Sequence, residues 1–108
     1  MAARLLTDDN IRIHAMRLLC YCLHHEDTDV ALREQVAFSA HDLGAFLAWL
    51  KEQEGVDEAA VLSTCNRVEM YLAGPADGTV DPAMLLAQFR DLDAEPLRRQ
   101  GRCLENEQ

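Results

Sequence analysis

The sequence predicts an α+β fold, a single domain in which a small, mainly antiparallel sheet is covered by helices. Apolar residues recur at helical spacing in some stretches and at alternate positions in others, so both kinds of element are present. The chain has 108 residues, 49% of them hydrophobic. This length supports one modest core and leaves no room for two full domains.

The first predicted elements are a strand and a short helix. Residues 1–15 show no clear period and are interpreted as an N-terminal extension, unless Met16 is the original start. The apolar run at residues 18–23 predicts a buried strand, which ends at the polar cluster of residues 24–27. Residues 30–38 then predict a short helix with a charged outer side.

The middle of the chain predicts a longer helix. Ser39 followed by Asp42 has the form of a capping box, and Gly55 gives a stop signal. Between them, apolar residues at helical spacing are expected to pack into the core: Leu43, Phe46, Leu47 and Leu50.

Two strands and a last helix complete the predicted domain. Residues 59–64 predict a short apolar strand, and residues 68–72 predict a half-buried one, because apolar and polar positions alternate there. After loop residues 74–78, Asp81-Pro82 predicts a helix start, since proline at the first helical position loses no needed hydrogen bond. The domain is assigned to residues 16–95, followed by a polar tail at residues 96–108.

Composition excludes several classes of protein. The apolar stretches are shorter than a membrane helix requires, and Asp8 and Asp9 do not suit a signal peptide, so a soluble, cytoplasmic protein is expected. The four unevenly spaced cysteines do not resemble a disulfide framework. The net charge of -9 predicts weak binding to nucleic acid, which relies on Lys and Arg to neutralise phosphates.

Cys65 is the candidate nucleophile. It falls at the junction of two predicted strands, where a side chain is partly exposed, and Arg67 can stabilise the reactive thiolate. Thr64 and Asn66 add groups suited to a polar substrate, while Arg67 can alternatively pair with a substrate carboxylate through two parallel hydrogen bonds. Residue chemistry alone also allows a structural role, because free cysteine is among the most buried residue types.

Two segments in order resemble the glutamyl-tRNA reductases. Residues 60–71 (AVLSTCNRVEMY) are similar to the signature segment of that family, and residues 30–38 (VALREQVAF) are similar to the segment after its first strand. The resemblance extends to residues 16–21 and, more weakly, to residues 102–108, so it spans most of residues 16–108.

The resemblance implies a two-stage reaction that opens tetrapyrrole synthesis. A cysteine attacks the activated α-carbonyl of glutamyl-tRNA, and NADPH reduces the resulting thioester to glutamate-1-semialdehyde. By matching position, the implied nucleophile is Cys65. The implied substrate-binding residues are Thr64, Asn66, Arg67, His25 and Arg33.

The chain departs from the family pattern in two ways. Where the family has Asn-His and then a Thr and a Pro, residues 24–29 read HHEDTD, and Asp27 and Asp29 are expected to repel a glutamyl group unless Arg33 or Arg67 offsets them. The tail also leads toward a cofactor domain that is missing, and no Gly-x-Gly-x-x-Gly turn occurs. We therefore expect no bound cofactor in this chain and no reduction by it alone.

Two functions remain open. The chain is either the substrate-binding and catalytic domain of a glutamyl-tRNA reductase, or a non-catalytic binding or regulatory module derived from that domain. The expected partners are glutamyl-tRNA or a glutamyl ester, bound weakly by so acidic a chain, or a partner protein. A metal site at Cys20, Cys22 and His24 is disfavoured because no second ligand pair occurs, and we expect these residues to line the core.

Overall fold

Four strands form one antiparallel sheet in the order β2-β3-β1-β4. The computed structural model describes residues 16–107, so the predicted extension at residues 1–15 lies outside the described part of the chain. The strands are β1 (Met16–His24), β2 (Glu58–Ser63), β3 (Arg67–Pro75) and β4 (Arg102–Glu107). Every pairing is antiparallel, which confirms the predicted α+β class.

Four helices connect and cover these strands. They are α1 (Val30–Val36), α2 (Ala40–Lys51), α3 (Pro82–Arg90) and α4 (Ala94–Gln100). In each, a side-chain oxygen at the N-cap accepts a hydrogen bond from a backbone N–H of the first turn, which would otherwise lack a partner. The predicted starts at Ser39 and at Asp81-Pro82 are confirmed.

The ends of the predicted elements shift by a few residues. α1 stops at Val36 instead of residue 38, and α2 stops at Lys51, before the predicted stop. Gly55 instead turns the chain toward β2 with a φ of 89°, a conformation that favours glycine. β3 continues through Gly74 and Pro75, which the sequence assigned to a loop, because they pair with Arg17 and Met16 of β1.

Among residues 16–107, the helices cover one face of the sheet. In β1 the buried residues Leu19, Tyr21 and Leu23 alternate with half-buried Cys20 and Cys22. His24 lies on the same face as the two cysteines. The prediction that these three line the core is therefore wrong, because the face they share carries no helical layer in the part of the chain that the structure describes.

An aromatic cluster packs where α1, α2 and α3 meet. It consists of Phe38, Phe46, Trp49 and Phe89, with ring centroids 4.8–6.3 Å apart in the contacting pairs. Phe46 and Leu50 of the predicted apolar stripe are fully buried. This cluster joins the linker between α1 and α2 to helices α2 and α3.

The segment predicted as a tail is built into the fold. Leu97 of α4 is fully buried, and its carbonyl accepts a hydrogen bond from the Tyr21 hydroxyl at 2.5 Å. Gly101 then passes so close to the Tyr21 ring that a Cβ atom there would collide with it. β4 pairs with β1 at the edge of the sheet. No helix between residues 16 and 107 is both long and apolar enough to cross a membrane.

Candidate active site

Cys65 lies in the tight turn between β2 and β3, as predicted. The Thr64 hydroxyl accepts hydrogen bonds from the backbone N–H groups of Asn66 and Arg67, both at 3.2 Å. The Thr64 N–H donates to the Arg67 carbonyl at 2.9 Å. These bonds fix the backbone around Cys65, whose side chain is exposed. The turn therefore presents a free thiol to solvent on a rigid support.

A cavity of about 260 Å³ opens beside this thiol. One wall is the turn with the adjoining ends of β1 and β3, and the other wall is helix α1. Spacings of three and four residues bring one side of α1 to the cavity. The residues of α1 and its C-cap that line it are Val30, Arg33, Glu34, Val36 and Ala37. Its size suits a small group, since pockets for drug-sized ligands measure roughly 300–1,000 Å³.

Two arginines line the cavity, and they differ in whether a carboxylate binds their guanidinium within residues 16–107. The Nε atom of Arg67 lies 3.2 Å from a carboxylate oxygen of Glu69, so Arg67 already has a partner on the sheet. The Nε atom of Arg33 is buried and has no hydrogen-bond partner, and no ion pair within residues 16–107 involves Arg33. A buried donor without an acceptor is costly, so Arg33 is suited to receive an anion.

The two acidic residues expected to repel a substrate, Asp27 and Asp29, bind other groups of the protein instead. Asp29 accepts a hydrogen bond from the Leu32 N–H at 2.8 Å and caps α1, and Gln100 donates to its other oxygen at 3.0 Å. These two bonds lower the pKa of Asp29. Asp27 pairs with Arg102 at 2.8 Å. Neither residue lines the cavity.

Four of the six predicted site residues line the cavity: Thr64, Cys65, Arg67 and Arg33. Of the other two, Asn66 lies in the turn itself, and its carbonyl accepts a hydrogen bond from the His25 N–H at 2.8 Å. The side chain of His25 is exposed and lies outside the cavity lining. The sequence did not single out Glu34 or Ala37 for the site. Their helical spacing from Val30 and Arg33 is the signal that places them there.

The remaining cysteines occupy different surroundings. Burial and the nearby Glu69 carboxylate raise the pKa of Cys22, and burial and Glu105 raise the pKa of Cys103. A raised pKa lowers the fraction of the reactive thiolate at neutral pH. Within residues 16–107, no group of three or more His, Cys, Asp or Glu side chains is arranged to hold a metal ion.

Comparison with known proteins identifies the family. Residues 22–108 match the family described as glutamyl-tRNAGlu reductase, N-terminal domain. Glutamyl-tRNA reductases of Chromohalobacter salexigens and Alcanivorax borkumensis are 43% and 45% identical over 82 residues, which is 76% of this chain and 19% of each relative. The Syntrophotalea carbinolica reductase is 38% identical over 85 residues, covering 77% of this chain and 19% of its own length.

The chain thus spans about a fifth of the length of the curated relatives it matches. The matched region includes β2, the turn with Cys65, β3 and helix α1. The two segments singled out in the sequence therefore lie in the same matched domain and face each other across one cavity. The chain belongs to the glutamyl-tRNA reductase family and corresponds to its N-terminal domain.

Proposed function

We propose that this chain carries the acyl-transfer half of a glutamyl-tRNA reductase reaction, with Cys65 as the nucleophile. The observation that supports the proposal is that one small cavity is lined both by the exposed Cys65 thiol and by Arg33, whose buried Nε has no partner in the described part of the chain. The thiol supplies a nucleophile, and the guanidinium suits the side-chain carboxylate of a glutamyl group. Thr64 holds the turn that carries the thiol.

In the proposed step the Cys65 sulfur attacks the α-carbonyl carbon of a glutamyl ester. A sulfur–carbon bond forms and the ester carbon–oxygen bond breaks, so the product is a thioester on Cys65. The thiol proton ends on the released hydroxyl group, which belongs to the terminal ribose when the ester is glutamyl-tRNA. Arg33 and Arg67 hold the substrate carboxylate, and fixed geometry reduces the entropy cost of the attack.

Reduction by NADPH is assigned to the parts of the family that this chain does not match. A dinucleotide of this kind is typically held at a glycine-rich turn between a parallel strand and a helix. The described sheet is antiparallel throughout, and the sequence has no Gly-x-Gly-x-x-Gly turn. These residues do not fit NADPH, so no step of the proposal passes through it.

Mass spectrometry after incubation with a glutamyl thioester tests the proposal. We expect one glutamyl adduct in the unchanged protein and none in Cys65→Ala. Cys103→Ala is the matched control, because it removes another exposed thiol and should keep the adduct. An adduct that persists in Cys65→Ala would contradict the proposal.

The second candidate is a binding module that holds a glutamyl-like ligand without turnover. The ion pair between Arg67 and Glu69 favours it, because that pair leaves the thiolate without this guanidinium as a dedicated partner. Saturable binding of glutamate without any adduct on Cys65 would support this module over the acyl-transfer function.

A further inference from the structure

Arg90, at the end of α3, contacts the junction between α1 and α2. Its guanidinium carbon lies 4.3 Å from the centroid of the Phe38 ring. One terminal nitrogen donates to the carbonyl oxygen of Ala37, and the other lies 3.5 Å from a carboxylate oxygen of Asp42. One side chain therefore binds three consecutive parts of this junction: the C-cap of α1, the linker and the first turn of α2.

The carbonyl that Arg90 binds belongs to a residue of the cavity wall. Ala37 is the C-cap of α1 and lines the cavity beside Cys65. The last carbonyl groups of a helix have no partner within the helix, so an external donor fixes where the helix ends. α1 has only seven residues, and a helix of that length depends on contacts with the rest of the fold for its position.

Packing alone does not account for an arginine at this place. The Arg90 side chain is largely buried, and its Nε atom has no hydrogen-bond partner among the residues that the structure describes. A buried donor without an acceptor costs stability, whereas a methionine would fill similar space beside the aromatic cluster without that cost. What the arginine adds to packing is its polar contacts, namely the directed bond to Ala37 and the ion pair with Asp42.

We propose that Arg90 is a positioning residue for the Cys65 cavity, because it holds the end of α1 and thereby sets where Arg33 lies. Arg33 is one helical turn before Ala37, so a displaced helix end moves its guanidinium relative to the thiol. The relevance of Arg90 to a substrate rests on the proposed function. The effect of Arg90 on the electrostatic surroundings of Cys65 is independent of the proposed function.

Two alkylating reagents measure this effect without any acyl transfer. Iodoacetate is anionic and iodoacetamide is neutral, so the ratio of their rates at Cys65 reports the electrostatic attraction that the thiol's surroundings exert on an anion. Peptide mapping by mass spectrometry separates Cys65 from the other three cysteines. Arg33→Met provides the benchmark, because it removes the guanidinium itself.

The decisive protein is the double variant Arg90→Met with Asp42→Asn. It loses one positive and one negative charge, so the net charge of the chain does not change. We expect the ratio of the iodoacetate rate to the iodoacetamide rate to fall roughly threefold, toward the value measured in Arg33→Met. Asp42→Asn alone keeps the bond to Ala37 and should not lower the ratio. Arg90→Lys keeps the charge but not the planar guanidinium that reaches Ala37 and Asp42 together, so we expect a smaller fall in the ratio than in the double variant.

An unchanged ratio in the folded double variant overturns the inference. Circular dichroism establishes that the variant is folded. If the double variant is not folded, the rate ratio is measured in Arg90→Lys instead. A smaller fall in the ratio is then expected, and a ratio equal to that of the unchanged protein contradicts the inference. Absence of a glutamyl adduct in the unchanged protein would contradict the proposed function alone, because the alkylation ratio needs no adduct.

Discussion

Arg33 and Arg67 both line the cavity beside Cys65, but only Arg67 has a carboxylate partner within the described residues. A substrate that binds Arg67 must displace Glu69 or share the guanidinium with it. Arg33 presents a buried Nε that has no hydrogen-bond partner among residues 16–107 to displace. We therefore infer that Arg33 contributes more than Arg67 to the recognition of a carboxylate.

The acylation rate with a glutamyl thioester, divided by the rate with the uncharged glutaminyl thioester, measures this recognition. We expect Arg33→Met to lower the quotient by about tenfold, since a hydrogen bond to a charged group contributes about 1.5–3 kcal/mol. Arg67→Met is the matched variant and should lower it less. A larger effect of Arg67→Met would reverse the assignment.

The residues of the turn show what the sequence can and cannot establish. The apolar run at residues 59–64 and the alternation at residues 68–72 predicted that Cys65 lies at a strand junction, and the structure places it there. These patterns did not indicate that Arg67 turns to Glu69, because a partner two residues away on the same face of a strand competes with the thiol. That outcome depends on side-chain geometry, which residue types alone do not determine.

At the scale of elements, α1 depends on a contact distant in sequence. Its N-cap Asp29 forms two hydrogen bonds with Gln100 at the end of α4, since the Asp29 N–H also donates to Gln100 at 2.9 Å. The polar substitutions at residues 27–29 thus connect the start of α1 to the C-terminal segment. Asp27 and Asp29 therefore stabilise the fold, a role that comparison with the family pattern did not predict.

Stability is expected to depend on pH through Asp29. The bond from the Leu32 N–H and the bond from Gln100 lower the pKa of Asp29 below that of an unperturbed aspartate. A carboxyl group with a lowered pKa in the folded state stabilises the fold above its unfolded pKa, and this contribution is lost as pH falls through the folded pKa. Urea unfolding should therefore show a decline between about pH 5 and pH 3.

The variant Asp29→Asn isolates this contribution, because asparagine also caps helices but does not titrate. Its free energy of unfolding should fall less steeply over the same range. Gln100→Met removes only the second cause and should give an intermediate slope. Parallel declines in all three proteins would show that other carboxyl groups account for the pH dependence.

The sequence predicted the first three helices and the first three strands, but it treated the region of α4 and β4 as a tail. Residues 96–108 contain few apolar positions, and β4 is an edge strand whose Leu104 is 72% exposed. Periodicity is weak in a strand that buries little surface. The pairing of β4 with β1 joins residues far apart in sequence, which a local pattern cannot reveal.

Two leucines in this segment test its place in the fold. Leu97→Ala removes a side chain with no exposed surface, and we expect a loss of about 2–5 kcal/mol in the free energy of unfolding. Leu104→Ala is the matched control and should change stability by less than about 0.5 kcal/mol. Equal small effects in urea unfolding would mean that α4 is not part of the core in solution.

At the scale of the whole molecule, we expect the net charge to limit contact with RNA. The net charge of -9 includes ten basic residues, and several of them pair with carboxylates, such as Arg98 with Asp81 at 2.5 Å and Arg102 with Asp27. Within residues 16–107, few cations therefore remain to displace counterions from a phosphate backbone. Recognition of a glutamyl-tRNA by this chain would have to come from its glutamyl end.

Fluorescence anisotropy with labelled, uncharged tRNA should accordingly detect no saturable binding tighter than about 10⁻⁴ M at physiological salt. A basic protein of similar size provides the positive control. Saturable binding at micromolar protein, weakened by added salt, would reveal a cationic surface that the net charge conceals.

The fluorescence of Trp49 in the aromatic cluster reports on the packing at the helix junction. Trp49 is the only tryptophan, and its ring lies 5.6 Å from that of Phe89, the neighbour of Arg90 in sequence. Indole emission responds to the polarity around the ring, so the intrinsic fluorescence of the unlabelled chain originates where the three helices converge. Loosening of that convergence can be followed optically, in real time, without attaching a dye to any of the four thiols.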